Sequence, residues 1–296
     1  MHPTAVSRPL NGTQGTVLMC CGVACLAVNN AYGKSLSADY APLQILFLRN
    51  AIALPFTILI TLRMGGRTAL LSARPAVHFL RGFLWILATV MLFTSVVELG
   101  LAASTALIYI APLVITAISA LFLGERPGRL RWLAVLSGFL GALIIVRPGT
   151  MAFQPVSLLA VATAFVNAFL FLSARWVDRR ESVWTLLLWM TAASVVLSGS
   201  AVVFVWTPVS AGDLWQFAAI ALSGTAGITM ITQAFRTAPA AAVAPLDYTG
   251  LIWATLLGLL IWNEVPDRMT LAGAAIIISG GLVMIWRDTG APRPEP

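Results

Sequence analysis

The sequence predicts an all-α membrane protein in which ten transmembrane helices form two inverted five-helix repeats. Three observations predict this fold: the composition, an internal repeat, and the positions of the basic residues. Apolar residues make up 59% of the chain, charged residues 10%, and the mean hydropathy is +0.91, whereas a soluble domain carries about 25% charge. Because each spanning helix needs about 20 mostly apolar residues, most of this chain belongs in a lipid bilayer.

The internal repeat aligns residues 102–147 with residues 241–286 without a gap, at a constant spacing of 139 positions. Alanine and leucine coincide by chance in apolar sequences, so the scarcer residue types carry the evidence. The matching pairs are Tyr109/Tyr248, Thr116/Thr255, Glu125/Glu264, Pro127/Pro266, Arg129/Arg268 and Gly141/Gly280, with Ala102/Ala241, Leu107/Leu246, Leu121/Leu260 and Leu143/Leu282. A duplicated half with an odd number of helices must insert upside down, and inverted repeats are typical of secondary transporters.

Each half contains five apolar stretches long enough to cross a membrane. The predicted spans are residues 16–33, 42–62, 76–97, 102–123, 130–146, 155–174, 183–206, 214–235, 240–262 and 269–286. The first repeat therefore covers residues 16–147 and the second 155–286. The linker, residues 148–154, is rich in Pro and Gly, as expected for a joint. Residues 1–15 and 287–296 form polar tails.

The basic residues fall on one side of this predicted topology. With a cytoplasmic N-terminus, the outer side carries only Lys34, Arg147 and Arg268. The cytoplasmic side carries Arg8, Arg63, Arg67, Arg74, Arg81, Arg126, Arg129, Arg131, Arg175, Arg179, Arg180, Arg236, Arg287 and Arg293. This asymmetry is the positive-inside pattern, so both termini are predicted to be cytoplasmic. It also accounts for the net charge of +7 without a nucleic-acid partner.

The residues that enzymes and metal sites need are scarce. The chain has two histidines, His2 and His78, and no nucleophile-elbow, metalloprotease or phosphate-loop motif. Cys20, Cys21 and Cys25 lie inside the first span, which we interpret as uncleaved, and lack the further ligands of a zinc site. We therefore predict no catalytic residues, metal or cofactor, although intramembrane catalysis by groups from separate helices remains an alternative.

Proline interrupts the fourth and ninth spans, which correspond in the two halves. Pro112 and Pro245 each remove a backbone donor and free the carbonyl four residues earlier. A matched pair of interrupted spans indicates a transporter's binding site. The two prolines do not align with each other, so tolerated kinks are the alternative interpretation.

Two ionisable residues lie deep inside predicted spans, where a charge costs about 2.5–3.5 kcal/mol. Arg49 and Asp247 are each about 10 Å from opposite membrane faces, on 1.5 Å per residue, so a direct salt bridge between them is not expected. Arg49 either bonds helix carbonyls or extends its guanidinium outward. Asp247 follows Pro245 and is the leading polar site candidate, with a structural hydrogen bond as its alternative role.

The remaining polar residues in the spans are weaker candidates. Asn29 and Asn30 lie in the first span, Asn167 in the sixth and Gln233 in the eighth, and hydrogen bonding between helices is the alternative for each. In the third span, helical spacing places His78, Trp85 and Thr89 on one face with Gly82. That face suits an amphiphilic ligand.

Residues 123–127, Leu-Gly-Glu-Arg-Pro, followed by Gly138 and Gly141, have a counterpart in residues 262–266, Trp-Asn-Glu-Val-Pro, followed by Gly280. Together with Ala111-Pro112-Leu113 and the run from Pro245 to Tyr248, this pattern resembles the EamA-type repeat of the drug/metabolite transporter superfamily, and within it the bacterial amino-acid and metabolite exporters. The resemblance implies ten helices, a central cavity and alternating access. The chain departs from the pattern at Asn263 and Glu98. We expect Glu125 and Glu264 to act structurally, with Arg129 and Arg268.

The sequence thus predicts an inner-membrane exporter, a monomer or homodimer, that moves small metabolites, above all amino acids with large apolar side chains. The predicted substrate-binding residues are Asn30, His78, Trp85, Tyr109, Gln233, Asp247, Tyr248 and Trp253. Proton coupling and facilitated diffusion both fit. The alternatives are a multidrug exporter, which should carry a carboxylate in its first span, a nucleotide-sugar carrier, which should carry several cavity cations, and an integral-membrane enzyme.

Overall fold

A computed structural model of the chain describes residues 12–122, 129–151, 153–173, 176–178, 181–238 and 243–290, and these contain helices and no strand. The α-helices are α1 (Gly12–Leu36), α2 (Pro42–Gly65), α3 (Pro75–Leu99), α4 (Leu101–Ile108), α5 (Ala111–Phe122), α6 (Arg129–Val146), α7 (Val156–Ser173), α8 (Val183–Val202), α9 (Leu214–Thr237), α10 (Thr249–Trp262) and α11 (Arg268–Gly290). Short 3-10 helices occupy Arg67–Leu70, Val203–Val205, Ala211–Asp213 and Ala244–Tyr248.

Seven helical segments among the described residues are long and apolar enough to cross a membrane, and three shorter apolar segments, Trp132–Val146, Leu246–Trp262 and Arg268–Val283, lie where the other predicted spans were placed. Large apolar side chains cover the outside of the bundle, including Phe83 at 53%, Phe171 at 61% and Leu260 at 70% exposure. So much exposed apolar surface indicates contact with lipid. The chain is an all-α, multi-pass membrane protein.

Local sequence signals set the helix ends. Proline opens α2 and α3, where a missing backbone N–H costs nothing. Ser182 caps α8 by accepting a hydrogen bond from the Thr185 amide at 3.1 Å. Asp267 does the same for α11 through the Thr270 amide at 2.8 Å. Helix α10 ends where Asn263 adopts the left-handed conformation, with φ of 57°.

Both predicted interruptions are present. The fourth span is divided into α4 and α5 at Tyr109 and Ile110. Among the described residues of the ninth span, the 3-10 helix Ala244–Tyr248 precedes a regular α-helix that begins at Thr249. The breaks therefore fall at Tyr109 and Tyr248, which correspond in the repeat, although the two prolines do not. The start of the predicted ninth span and the repeated Glu125 and Pro127 lie outside the described residues.

The helices pack mainly across the boundary between the two halves. Helix α1 packs on α9 and α3 on α7, while α2 packs on α8, α4 on α10 and α6 on α11. At the α6–α11 crossing, a Cβ on Gly141 would lie 2.7 Å from the Gly273 carbonyl oxygen, so only glycine allows this approach of the two backbones. We call the end of the bundle at which α1 begins the N-terminal end, and the end at which α1 ends the far end.

Candidate functional site

A central cavity of about 170 Å³ lies between α1, α2, α3, α7 and α9. A smaller pocket of about 20 Å³ continues it and shares Arg49, Trp85, Gly224 and Ile228 with it. The cavity is lined by Leu26, Asn29, Asn30, Arg49, Trp85, Ala88, Thr89, Leu92, Phe93, Asn167, Gly224 and Ile228. A few polar groups in an apolar wall are typical of a small-molecule site.

Arg49 is the only cation among the described residues that line this cavity, and 7% of its surface is exposed. Its Nη1 donates to Asn29 Oδ1 at 3.3 Å, and its guanidinium lies 5.5 Å from the ring centre of Trp85, within cation–π range. The guanidinium thus remains in the interior of the bundle. This differs from both sequence interpretations, which gave Arg49 a helix carbonyl partner or an outward-extended side chain.

Asn29 holds the guanidinium in this position. Its Nδ2 donates to the Ile220 carbonyl oxygen on α9 at 2.6 Å, which turns its Oδ1 toward Arg49. Asn29 lies close to the backbone of α9. A Cβ on Gly224 would lie only 2.7 Å from the Asn29 Nδ2, so glycine makes room for the amide. The next residue to Arg49, Asn50, lines the small pocket, and its buried Nδ2 has no hydrogen-bond partner among the described residues.

Three predicted residues form a second group on the fourth and ninth spans. The Tyr109 hydroxyl donates to the Asp247 backbone carbonyl at 2.7 Å, and the rings of Tyr109 and Tyr248 meet edge to face at 5.1 Å. The Asp247 side chain is exposed and makes no hydrogen bond or ion pair with another described residue. None of the three is among the residues that line the central cavity.

The other predicted residues are dispersed. Asn30 and Trp85 line the central cavity, whereas His78, Gln233 and Trp253 do not. His78 shares the face of Trp85 but lies two helical turns away, about 10 Å along α3. Gln233 is half-buried on α9, and Trp253 is 37% exposed on α10.

His78 belongs to a polar link at the N-terminal end of the bundle. Its Nε2 lies 2.8 Å from Glu181 Oε2, and its ring stacks on Trp189. Glu181 Oε1 accepts from the Ser72 hydroxyl and the Ala73 amide, both at 2.8 Å. Burial alone raises the pKa of a carboxyl, but these hydrogen bonds outweigh it and lower the pKa of Glu181.

The far end carries two ion pairs between the halves. Lys34 pairs with Glu264 and lies 4.7 Å over the Trp262 ring, and Arg147 pairs with Asp267. Glu264 therefore contacts Lys34, a partner that the expected arrangement with Arg268 did not include. Burial raises the pKa of Asp267, but hydrogen bonds from Thr270 and Arg147 outweigh it and lower the pKa to about 2.

A cavity of about 430 Å³ opens beside these ion pairs, with Glu98, Arg147, Glu264 and Asp267 among its lining residues. It is larger than the central cavity, but it lies between helix ends and loops at the surface of the far end. Two of its charges, Arg147 and Asp267, already pair with each other across the halves. The central cavity, enclosed by five helices around one buried arginine, is the better candidate site.

Sequence comparison agrees with this architecture. The model of the EamA-like transporter family matches residues 13–147 and again residues 154–286. The chain belongs to this family. Its relatives include an S-adenosylmethionine uptake transporter of Rickettsia prowazekii, 25% identical over 88% of this chain and 89% of the relative. The pseudopaline exporter CntI of Pseudomonas aeruginosa is 30% identical over 85% and 89%.

A riboflavin transporter of Vibrio cholerae is 27% identical over 97% of both chains. A solved crystal structure at 20% identity superposes with a TM-score of 0.64 over 94% of this chain and 99% of that chain, which shows a shared fold. This EamA-like chain is therefore a membrane transporter. The named relatives act on different small molecules, so family membership does not choose a substrate.

Proposed function

We propose that this EamA-like transporter exports small amphiphilic metabolites, above all amino acids with large apolar side chains, from the bacterial cytoplasm by alternating access. The central cavity carries the proposal. It combines one buried cation and three asparagines with the apolar surfaces of Trp85, Leu92 and Phe93. A molecule with one charged end and one apolar end satisfies both parts of this wall.

The size of the cavity supports a small substrate. Drug-sized ligands occupy pockets of about 300–1,000 Å³, whereas this cavity has about 170 Å³. The multidrug alternative is weaker for the same reason, and no carboxylate is among the residues that line the cavity. Tyr109, Asp247 and Tyr248, at the two interrupted spans, form our proposed second contact region on the substrate path.

The proposed architecture is two inverted five-helix repeats, residues 16–147 and 155–286, with both termini in the cytoplasm and the chain in the inner membrane. The helix pairs support this architecture. When the two halves are interchanged, the pair formed by α1 and α9 becomes the pair formed by α7 and α3. The contact of the matched Tyr109 and Tyr248 also supports it, because equivalent residues meet only near a twofold axis. The chain acts as a monomer or homodimer.

Transport then requires that the halves separate at one end at a time around the central cavity. Polar links join the halves at both ends, through Glu181 at one end and through Glu264 and Asp267 at the other. The substrate shifts the balance between the open states only through its different affinity for them. No enzymatic step is included.

Counterflow in proteoliposomes tests the function. Vesicles loaded with an unlabelled amino acid, drug or sugar are mixed with the labelled form, with and without a pH gradient. We expect transient accumulation of large apolar amino acids. Accumulation of drugs or sugars alone would reject the amino-acid proposal, conversion of the solute would indicate an enzyme, and dependence on the pH gradient would establish proton coupling. Relatives are named for both uptake and export, so the direction is tested with inside-out vesicles.

A further inference from the structure

Within the described part of the chain two arginines, Arg49 and Arg81, are buried, and their surroundings differ. Arg81 on α3 donates from Nη1 to the Leu170 backbone carbonyl at 2.8 Å and to the Ser173 hydroxyl at 3.2 Å. Neither of the two cavities that Arg49 borders includes Arg81. Arg81 ties α3 to α7, as expected of a structural arginine that satisfies a helix end.

Arg49 has much weaker partners. A guanidinium presents five N–H donors, and the structure provides one side-chain amide oxygen at 3.3 Å and the face of Trp85. No carboxylate forms an ion pair with Arg49 within the described part of the chain. Because a buried charge without an anion is costly, this site is incomplete in the structure.

The groups around Arg49 define what would complete it. The neighbouring Asn50 Nδ2 is a buried donor without a partner, at the wall of the pocket that continues the cavity. Donors on both residues thus call for an acceptor, and an ionised carboxylate offers two acceptor oxygens and no donor. The guanidinium lies over the Trp85 ring and bonds Asn29 through Nη1, so its other N–H donors remain for a planar bidentate partner.

We infer that the central cavity recognises its substrate by a carboxylate, which binds the edge of the Arg49 guanidinium while the apolar remainder of the substrate lies along Trp85, Leu92 and Phe93. Asn29 holds the guanidinium in place through its bond to the Ile220 carbonyl. Arg49 is the single cation among the described residues that line the cavity. This favours a monocarboxylate over a phosphate ester, whose two charges call for several cations. This inference rests on the proposed function and names the group that the site selects.

Matched acids and amides test the recognition of a carboxylate by Arg49. In detergent, thermal unfolding of the wild-type chain is followed with L-phenylalanine, L-phenylalaninamide, L-leucine and L-leucinamide. Each amide keeps the size of its acid but lacks the negative charge. We expect an acid to protect the protein at concentrations at least about tenfold lower than its amide, since a charge-assisted bidentate pair is worth a factor of ten or more. Equal protection by acid and amide, or none by either acid, overturns the inference.

Substitutions assign the selectivity to the residue. Arg49→Gln should remove the difference between acid and amide, and Arg49→Lys, which keeps a charge but not the planar fork, should reduce it. Arg81→Lys is the matched control and should keep it. If Arg49→Gln is too unstable to purify, the inference is tested by the comparison of acids with amides in the wild type and in Arg49→Lys. Undiminished selectivity in Arg49→Lys and Arg49→Gln overturns the inference.

The same acid and amide pairs, tested in counterflow, distinguish a failure of the proposed function from a failure of the proposed role of Arg49. If no solute of any class exchanges, the proposed function fails. If solutes exchange while acids and amides compete equally, the function stands and the role of Arg49 fails.

Discussion

Replacement of Glu181 should weaken the link between the halves at the N-terminal end. Its carboxylate, 6% exposed, accepts from Ser72, from the Ala73 amide and from His78, each at 2.8 Å. Glu181→Ala removes all three bonds and leaves the fully buried His78 ring without this partner. Glu181→Gln keeps one oxygen for Ser72 and Ala73 but loses the charge.

The magnitudes follow from these contacts. Loss of one partner from a buried charged network costs about 3–5 kcal/mol, so Glu181→Ala should lower Tm by roughly 6–20 °C at about 2–4 °C per kcal/mol. Glu181→Gln exchanges charge-assisted bonds for neutral ones and should lose about 1–2 kcal/mol. Glu98→Gln is the matched control, because Glu98 is exposed and makes no hydrogen bond or ion pair with a described residue. Its Tm should change by less than about 1 °C.

The pH dependence has a definite sign. Because folding lowers the pKa of Glu181, its contribution is fully present above the unfolded pKa of about 4.3 and is lost as pH falls through the lower folded pKa. Thermal unfolding in detergent, followed by tryptophan fluorescence from pH 7 to pH 3, measures this. The Tm difference between wild type and Glu181→Gln should be constant above about pH 5 and shrink below about pH 4. A difference that grows with acidity, or a Tm of Glu181→Ala equal to wild type, would refute the reasoning.

Two further substitutions test the contacts between the halves. Gly141→Ala should lose about 1–3 kcal/mol of stability, because the new methyl group meets a backbone carbonyl on α11; the exposed Gly212→Ala is its control, and equal Tm values for the two variants would contradict the close crossing. Tyr109→Phe should lose about 0.5–1.5 kcal/mol, since the Asp247 carbonyl loses its donor, and an unchanged Tm would show that this bond contributes nothing.

Sequence reasoning located the helices well, because hydropathy and proline depend on the local chain. It also identified Tyr109 and Tyr248 as equivalent, and their contact follows from the duplication. It could not find which neighbour each polar group meets. Lys34 and Glu264 are 230 residues apart and Glu181 lies in a loop, so no local pattern pairs them with their partners.

Arg49 shows the same limit at the site itself. The sequence shows its depth in the membrane, but the face of α2 on which it lies depends on how α1, α3 and α9 pack around it. The adjacent Asn50 was the available signal in the sequence. Two neighbouring polar residues in the middle of a span indicate a polar site inside the bundle, because both must be buried there. For His78, helical spacing indicated a shared face with Trp85. The sequence did not reveal that Glu181 pairs with His78 at the N-terminal end.

The links at the two ends of the bundle differ in how much separation costs. At the N-terminal end, His78 and Glu181 are 0% and 6% exposed. At the far end, Lys34 and Glu264 are 6% and 34% exposed, and Arg147 and Asp267 are 24% and 50% exposed, so each pair has one partner in contact with solvent. Solvated ion pairs contribute about 0–1 kcal/mol, whereas breaking a buried link costs several. The halves should therefore separate more readily at the far end, which is the outer end under the proposed orientation.

Distances between spin labels measure this asymmetry. On a cysteine-free background, one pair replaces Asp39 and Val265 at the far end, and another replaces Leu71 and Val183 at the N-terminal end. Electron–electron double resonance should give a broader distance distribution for the far-end pair, and Glu181→Ala should broaden the other. As the proposed exporter, the chain must open the link at Glu181 to bind a cytoplasmic substrate, so this link sets the cost of reaching that substrate. A broader distribution at the N-terminal end in the wild type would contradict this order of opening.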